Sequence, residues 1–306
     1  MEELLKQLLA RTERRIAFSV RASEWLARAF RALQARLFSI FLERYIDDIF
    51  ADGRKMSFTA RSVTNANRAA VRFQFEYSRA ATSLLRGIAE RIIRQQDYSR
   101  EYFSLLGLPE PEAKSALAIV MRSYGFDVAT MTAIPGGYLE GVLNSPALAQ
   151  FVGQQIREGM AAGMGKKEFI AKFRGAFVNP GGTGMLERHF NRFSHDFFQQ
   201  FGRVNNIILA EASGLDHFVY AGTAIEDSRP FCLRRLNRIY TVKEAGKWNA
   251  QEWAGKIPDV PVLQQLGGYN CRHTQMFITE EMAKMLEQQY GEVDGYNALP
   301  SKKQPA

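Results

Sequence analysis

Apolar side chains recur at intervals of three and four residues along most of this chain, the spacing that places them on one face of an α-helix. From residue 4 to residue 50 the pattern runs without proline or glycine, and it predicts one long helix or two helices placed end to end. Residues 57–77 and 80–106 predict two more helices, rich in alanine and arginine. A short strand is the less favoured alternative at the alternating Phe73, Phe75 and Tyr77.

Proline and glycine interrupt the pattern in the middle of the chain. The breakers Leu108-Pro109-Glu110-Pro111 and Ile134-Pro135-Gly136-Gly137 enclose a short predicted helix at 112–124, and we place a soft domain boundary between them. Helices are also predicted at 146–162 and 166–177. The glycine-rich residues 179–184 predict a loop, but not a phosphate-binding one, because no lysine with serine or threonine ends it and no strand precedes it.

The next predicted helix, 185–212, carries an aromatic stripe that we interpret as a packed core face. His189 and His195 also lie on it, but six residues are about 600° of rotation, so these histidines point to opposite sides and cannot share a metal ion. We interpret both histidines as structural or surface residues. The stripe comprises Phe190, Phe193, Phe197, Phe201, Val204 and Ile208.

The last third of the chain changes to short strands and short helices. A β-branched and aromatic run bounded by glycines predicts a strand at 217–220. Thr241 with Glu244 forms a capping-box signature that opens a helix. The other predicted elements are a helix at 231–236 opened by Pro230, strands at 239–240 and 275–278, and a terminal helix from 279 to about 290.

These elements predict a mainly α fold, in which a long N-terminal helical region precedes a small α+β C-terminal module. Four consecutive stretches are predicted: a helical partner-docking region at 1–130, a helical middle region at 131–213, the α+β module at 214–290, and a flexible tail at 291–306.

Composition excludes several classes of protein. A hydrophobic content of 46% is ample for a core, yet no uncharged apolar run is long enough to cross a bilayer, and the acidic start does not resemble a secretory signal. Two cysteines in 306 residues argue against a disulfide scaffold and fit a reducing cytoplasm.

The chain is moderately basic, with 40 Lys and Arg against 32 Asp and Glu. Arginines crowd the first predicted helix. They form a solvated helix face, or pack through their aliphatic stems, or contact an acidic partner surface or DNA. The candidates for such contact are Arg14, Arg15, Arg21, Arg28 and Arg31.

Three motifs give the C-terminal third its specificity. They are Arg203-Val204-Asn205-Asn206, then Tyr220-Ala221-Gly222-Thr223 continuing to Asp227-Ser228-Arg229-Pro230-Phe231-Cys232, and finally Tyr269-Asn270-Cys271-Arg272-His273. In this order they resemble the C-terminal module of the phage Mu F-like family of head-morphogenesis, or minor head, proteins. The resemblance covers about residues 188–279. Many members have a second cysteine in the first run and a histidine where this chain has Tyr269.

The resemblance implies a non-enzymatic minor head protein of a tailed phage or prophage, acting in head morphogenesis, DNA packaging or DNA delivery. Its implied partners are the portal protein and other head proteins, with non-specific contact to phage DNA and no membrane. Several copies would sit at the portal vertex of the virion after assembly in the host cytoplasm. The residues expected to form a structural cluster are Asp227, Arg229, Cys232, Asn270, Cys271, Arg272 and His273.

Three interpretations of the cysteines remain open from the sequence. Cys232 and Cys271 pack as small apolar residues, or they bind zinc with His273 and with help from Asp227 or water, or they form a disulfide in an oxidised particle. Zinc is therefore the one candidate cofactor, and otherwise none is expected. Asp227 is expected to pair with Arg229, and Arg272 to bind carbonyl groups around the turn.

The alternative function is a nuclease or a nucleic-acid-binding, toxin-like domain. His273 would act as acid or base, and Arg229 and Arg272 would hold the phosphate charge. No carboxylate cluster of the kind that binds Mg²⁺ accompanies them in the sequence, so we expect no enzymatic activity. The resemblance to the Mu F-like family, and the role inferred from it, require the segments 227–232 and 271–273 to meet against the aromatic helix.

Overall fold

The computed structural model describes residues 2–50, 53–127, 129–130, 132–137, 139–140, 147–178 and 185–290, and it gives the backbone alone at 147–148, 178, 185–195 and 290. The predicted fold class is confirmed, because long helices precede a small region with a few antiparallel strands. The predicted loop at 179–184, the predicted tail and the side chains of Phe190, Phe193, His189 and His195 lie outside the described part.

Seven helices account for most of the described residues before the C-terminal module. They are α1 (Glu2–Arg44), α2 (Ile46–Ile49), α3 (Ala60–Ser104), α4 (Glu110–Ser123), α5 (Ala147–Ala161), α6 (Lys166–Val178) and α7 (Met185–Ala212).

Helix α3 is continuous, so the prediction of two helices there was wrong, and so was the alternative of a strand at 73–77. Phe73 and Tyr77 are buried while Phe75 is 69% exposed. Residues four apart share a helix face, and burial of the first and last of these aromatics follows that period. Between α4 and α5, two unpredicted strands, β1 (Phe126–Asp127) and β2 (Thr132–Ala133), pair in a short hairpin.

The chain forms two compact units, each built from separate stretches. Unit 1 takes residues Met1–Glu24, Glu90–Arg122 and Ser194–Ala306, and unit 2 takes Trp25–Ala89 and Ser123–Phe193. The four consecutive stretches predicted from the sequence do not coincide with these units, because α1, α3 and α7 each contribute residues to both.

The core of unit 2 is built from phenylalanine. Phe173 of α6 stacks on Phe41 of α1 with ring centroids 4.4 Å apart, and on Phe177 at 5.3 Å. Phe73 of α3 meets Phe177 edge-on at 5.6 Å. These four rings come from three helices, and Phe173 and Phe177, four residues apart, share one face of α6. Burial of these apolar faces against one another explains how the helices associate.

Unit 1 contains a three-stranded antiparallel sheet in the order β4-β3-β5. The central strand β3 (His217–Ala221) pairs with β4 (Ile239–Thr241) and with β5 (Thr274–Ile278), so that Val219 lies opposite both Ile239 and Met276. Helix α11 (Glu280–Tyr290) follows β5. All three strands and the terminal helix were predicted from the sequence and are confirmed within one residue at each end.

Short helical turns connect the strands of this module. Helix α8 (Pro230–Leu233) precedes β4, and α9 (Val242–Gly246) opens with the predicted capping box, in which Thr241 and Glu244 bond each other's backbone amides. A 3₁₀ turn (Lys247–Ala250) and helix α10 (Val262–Gln265) were not predicted, because four residues are too few to show a hydrophobic period.

Aromatic rings fill the module around Trp248. Its ring lies edge-on to Tyr240 at 4.7 Å and to Phe231 at 5.9 Å. The guanidinium of Arg235 covers the rings of Phe231 and Trp248. This packing fixes α8, and therefore Cys232, against the sheet. None of the described helices is long and apolar enough to cross a membrane.

Candidate functional site: the cysteine–histidine cluster and Arg203

Cys232, Cys271 and His273 come together beside β3, as the resemblance to the Mu F-like family requires. Cys232 lies on α8, while Cys271 and His273 lie on the segment that enters β5. The two sulfur atoms are 4.0 Å apart, and Cys271 Sγ is 3.6 Å from His273 Nδ1. All three residues are at most 4% exposed. We call these three residues the Cys–His cluster.

Glycines make room for this cluster. A Cβ atom added at Gly267 would lie 2.3 Å from Cys232 Sγ and 3.0 Å from Cys271 Sγ, and one at Gly222 would lie 2.7 Å from the His273 ring. The Gly267 amide donates to Cys271 Sγ at 3.3 Å, and the Tyr220 hydroxyl donates to Cys232 Sγ at 3.3 Å. The sequence identified Gly222 as the end of the predicted strand and as part of a motif, whereas the structure shows that Gly222 makes room for the imidazole and Gly267 for the sulfur atoms.

Arg203 of α7 holds the segment that carries Cys271 and His273. Its side chain is 1% exposed, and it donates to four main-chain carbonyl groups. Two belong to the end of α10, Gln264 at 3.3 Å and Gln265 at 3.0 Å, and two to the cluster itself, Cys271 at 2.5 Å and His273 at 3.0 Å. A guanidinium suits this task because its donors form a fixed planar fork. Arg203 therefore ties α10 and both cluster residues to α7.

Two more polar residues of α7 reinforce this attachment. Asn206 donates to Thr274 Oγ1 at 3.0 Å and to the Gln275 carbonyl at 3.2 Å, and its own Oδ1 accepts from Arg15 at 2.6 Å. Asp196 accepts from the Asn270 amide at 2.7 Å. We call Arg203, Asn206 and Asp196 the α7 polar cluster.

The two thiols differ in acidity. The pKa of Cys232 is raised, first because its thiol is hydrogen-bonded to Cys271 and then because it is buried. Burial also raises the pKa of Cys271, but the hydrogen bond from Cys232, the positive charge of Arg203 and the contact with His273 outweigh burial and bring that pKa well below its ordinary value. The positive charge of Arg203 therefore favours deprotonation of Cys271 over that of Cys232.

Four predicted cluster residues do not join the cluster with their side chains. Asp227 is exposed, and within the described residues no ion pair joins it to Arg229, which instead lies against Gly255. Arg272 is exposed, so the prediction that it binds the turn carbonyls was wrong, and Arg203 does so instead. Asn270 contributes its backbone, with a positive φ of 58° and the amide bond to Asp196, while its side chain is exposed.

The five arginines predicted to contact a partner differ in their exposure to solvent. Arg15 is 5% exposed, with its guanidinium 4.2 Å from the centre of the Tyr102 ring, so it was wrongly assigned to a contact surface. Arg14 is exposed but lies over the Tyr98 ring and 3.6 Å from Glu101. Arg21, Arg28 and Arg31 are exposed and remain candidates.

Comparisons with protein-family models, with curated proteins and with solved structures found no match to this chain. The chemistry of the Cys–His cluster is nevertheless limited by its own geometry. Two sulfurs and an imidazole nitrogen within 4.8 Å of one another could hold a metal ion. Their burial leaves no open face on which a large substrate could reach His273.

Proposed function

We propose that this chain is a minor head protein of a tailed phage or prophage, which docks at the portal vertex and acts in head morphogenesis or in DNA packaging and delivery. The observation that carries the proposal is the meeting of all three sequence motifs at one place. Arg203 and Asn206 from the first motif bind the backbone of the third, and Cys232 from the second lies 4.0 Å from Cys271 of the third. Motif residues with a shared structural task support kinship with the Mu F-like module.

Burial of the Cys–His cluster supports a structural rather than an enzymatic role. A general acid or base must come within hydrogen-bonding distance of the reacting group. His273 is 4% exposed and lies beneath Gly222, whereas Asp227 and Arg272, the charged groups expected to assist it, are exposed away from it. These residues do not form one accessible site.

Exposed residues on the two longest helices support a role in assembly. Arg21, Arg28 and Arg31 of α1 offer positive charge to an acidic partner. On α3, Val71 and Phe75 are each 69% exposed and, being four residues apart, share one face. Large apolar side chains exposed together are typical of protein-binding surfaces.

The direct test is binding to the portal protein encoded by the same phage or prophage genome. We expect the full chain to co-purify with assembled portal rings, and the triple variant with Arg21, Arg28 and Arg31 changed to Glu to lose at least tenfold in affinity. The matched control changes Arg234, Lys243 and Lys247, three exposed cations of the C-terminal module, to Glu and thus has the same net charge. A monodisperse wild-type monomer that binds neither portal rings nor procapsids would contradict the proposal.

Nucleic-acid assays distinguish the alternative function. Incubation of the wild-type protein with DNA and RNA is expected to give no cleavage, and any binding should weaken steeply with salt, as counterion release requires. Cleavage that is lost on His273→Ala but retained on His217→Ala would instead establish the nuclease.

A further inference from the structure

The Cys–His cluster has the dimensions of a zinc site. Zinc bound tetrahedrally, with Zn–S of about 2.3 Å and Zn–N of about 2.0–2.1 Å, sets its ligand atoms about 3.8 Å apart for two sulfurs and about 3.6 Å apart for a sulfur and a nitrogen. The corresponding distances are 4.0 Å between Cys232 Sγ and Cys271 Sγ, and 3.6 Å between Cys271 Sγ and His273 Nδ1. The third separation also lies within 4.8 Å.

Neither of the other two interpretations accounts for all of the polar atoms at this place. A disulfide joins its sulfurs at about 2.05 Å and has no use for an imidazole. Packed neutral thiols are weak hydrogen-bonding groups, and among the described residues they leave the buried Nδ1 of His273 with only Cys271 Sγ, 3.6 Å away, as a partner. A bound ion satisfies a buried ring nitrogen better than so weak a partner does.

The surroundings of the sulfurs are those of metal-bound thiolates. The Gly267 amide and the Tyr220 hydroxyl each donate to one sulfur, and such outer hydrogen bonds orient the ligands of a metal and tune its binding. The backbone of Gly267 passes so close to both sulfurs that no side chain could stand there. Arg203 fixes the carbonyl groups of Cys271 and His273 and thereby sets the distance between these two ligands.

We propose that Cys232, Cys271 and His273 bind one zinc ion, which fastens α8 to the segment entering β5, with one enclosed water molecule as the fourth ligand. Both cysteines bind as thiolates, so zinc uptake releases the protons that the thiols carry. Because the three ligands are buried, the ion is structural: it replaces, for this small module, the cross-link that a disulfide would give. The proposal is independent of a role in the phage head.

The first test is the metal content of the full chain, produced in a reducing cytoplasm and dialysed to remove loosely bound ions. We expect about one equivalent of zinc by plasma emission spectroscopy, and two thiols that become titratable when the protein is denatured with a chelator. Replacement by Co²⁺ should give the visible bands of tetrahedral coordination and a thiolate charge-transfer band. A disulfide, or free thiols in a folded protein that takes up no zinc or cobalt when it is supplied, would overturn the proposal.

Variants identify the ligands. Cys232→Ser, Cys271→Ser and His273→Gln are each expected to weaken zinc binding at least 100-fold, whereas Tyr220→Phe, which removes an outer hydrogen bond, should weaken it about tenfold. His217→Gln is the matched control, because this half-buried histidine at the start of β3 lies outside the cluster and should retain the full equivalent. Circular dichroism establishes folding, and if a ligand variant does not fold, the cobalt spectrum of the wild-type protein decides. Full metal content in all three ligand variants would refute the assignment.

Discussion

The core of unit 2 and the α7 polar cluster of unit 1 hold their helices in different ways. In unit 2, Phe41, Phe73, Phe173 and Phe177 bury their rings against one another, and such contacts have little directionality. In unit 1, Arg203 and Asn206 bind particular carbonyl groups about 60 to 70 residues further along the chain. Packed rings tolerate a change in side-chain shape, whereas a buried donor must match its acceptors in position and direction. The α7 polar cluster therefore fixes the position of the segments that it binds more strictly than the phenylalanine core fixes its helices.

Among conservative changes, the largest effect should come from Arg203→Lys in the α7 polar cluster of unit 1. The ammonium group offers three donors from one point, so it cannot reach all four carbonyls, and each buried carbonyl left without a partner costs about 1–3 kcal/mol. We expect the free energy of unfolding of unit 1 to fall by about 3 kcal/mol, and zinc affinity to fall with it.

Tryptophan fluorescence in urea can measure this loss in unit 1 alone. With Trp25 replaced by Phe, the remaining indoles are Trp248 and Trp253, which both lie in unit 1. The matched control is Arg234→Lys, an exposed arginine of the same unit, which should leave the transition unchanged. A loss below about 1 kcal/mol for Arg203→Lys would mean that the four carbonyls do not depend on the guanidinium fork.

A smaller effect is expected for Phe173→Leu in the core of unit 2. Phe173 is fully buried, but leucine keeps most of the apolar volume, and such swaps usually cost less than about 1.5 kcal/mol. Fluorescence of the single Trp25, in a protein whose other two tryptophans are changed to Phe, follows unit 2. Phe173→Ala should lower the free energy of unfolding by about 3–5 kcal/mol, and it serves as the positive control that the measurement detects a loss of packing at this position. If Phe173→Leu cost more than Arg203→Lys, the contrast between the two regions would be wrong.

The sequence predicted the parts of the site that depend on local signals. A β-branched and aromatic run bounded by glycines indicated β3, alternation indicated β5, and the spacing of Thr241 and Glu244 indicated the capping box. Each of these signals is contained within a few residues. The two motifs that carry Cys232 and His273 were also expected to meet, and their geometry confirms that expectation.

The hydrophobic pattern could not identify what holds the motifs together. Along α7 the predicted apolar stripe is buried at Phe197 and Phe201, but its next members, Val204 and Ile208, are only half-buried. On either side of Val204, the polar residues Arg203, Asn205 and Asn206 are at most 2% exposed. A polar residue on a buried face breaks the period that indicates burial, and its partners lie far away in sequence. For the same reason the carbonyl-binding role was assigned to Arg272, the arginine adjacent in sequence, instead of Arg203.

A second buried arginine in unit 1 sharpens the comparison, because only part of its guanidinium group is hydrogen-bonded. Arg15 is 5% exposed and donates to Asn206, but within the described residues its Nε and Nη2 have no hydrogen-bond partner. It borders a cavity of about 20 Å³, which is room for one water molecule. Burial lowers the pKa of Arg15 to about 10, so folding penalises the charged form of this side chain. Arg203, by contrast, donates to four carbonyl groups.

The smallest effect is therefore expected for Arg15→Met. Methionine keeps the contact with the Tyr102 ring and removes the buried charge, which offsets the lost hydrogen bond to Asn206, so the free energy of unfolding of unit 1 should change by less than about 1 kcal/mol in either direction. Arg203→Met, measured in the same Trp25→Phe background, should cost several times as much because four carbonyls lose their donor. Equal losses for the two methionine variants would show that burial of the cation, and not the number of matched acceptors, determines what each arginine contributes.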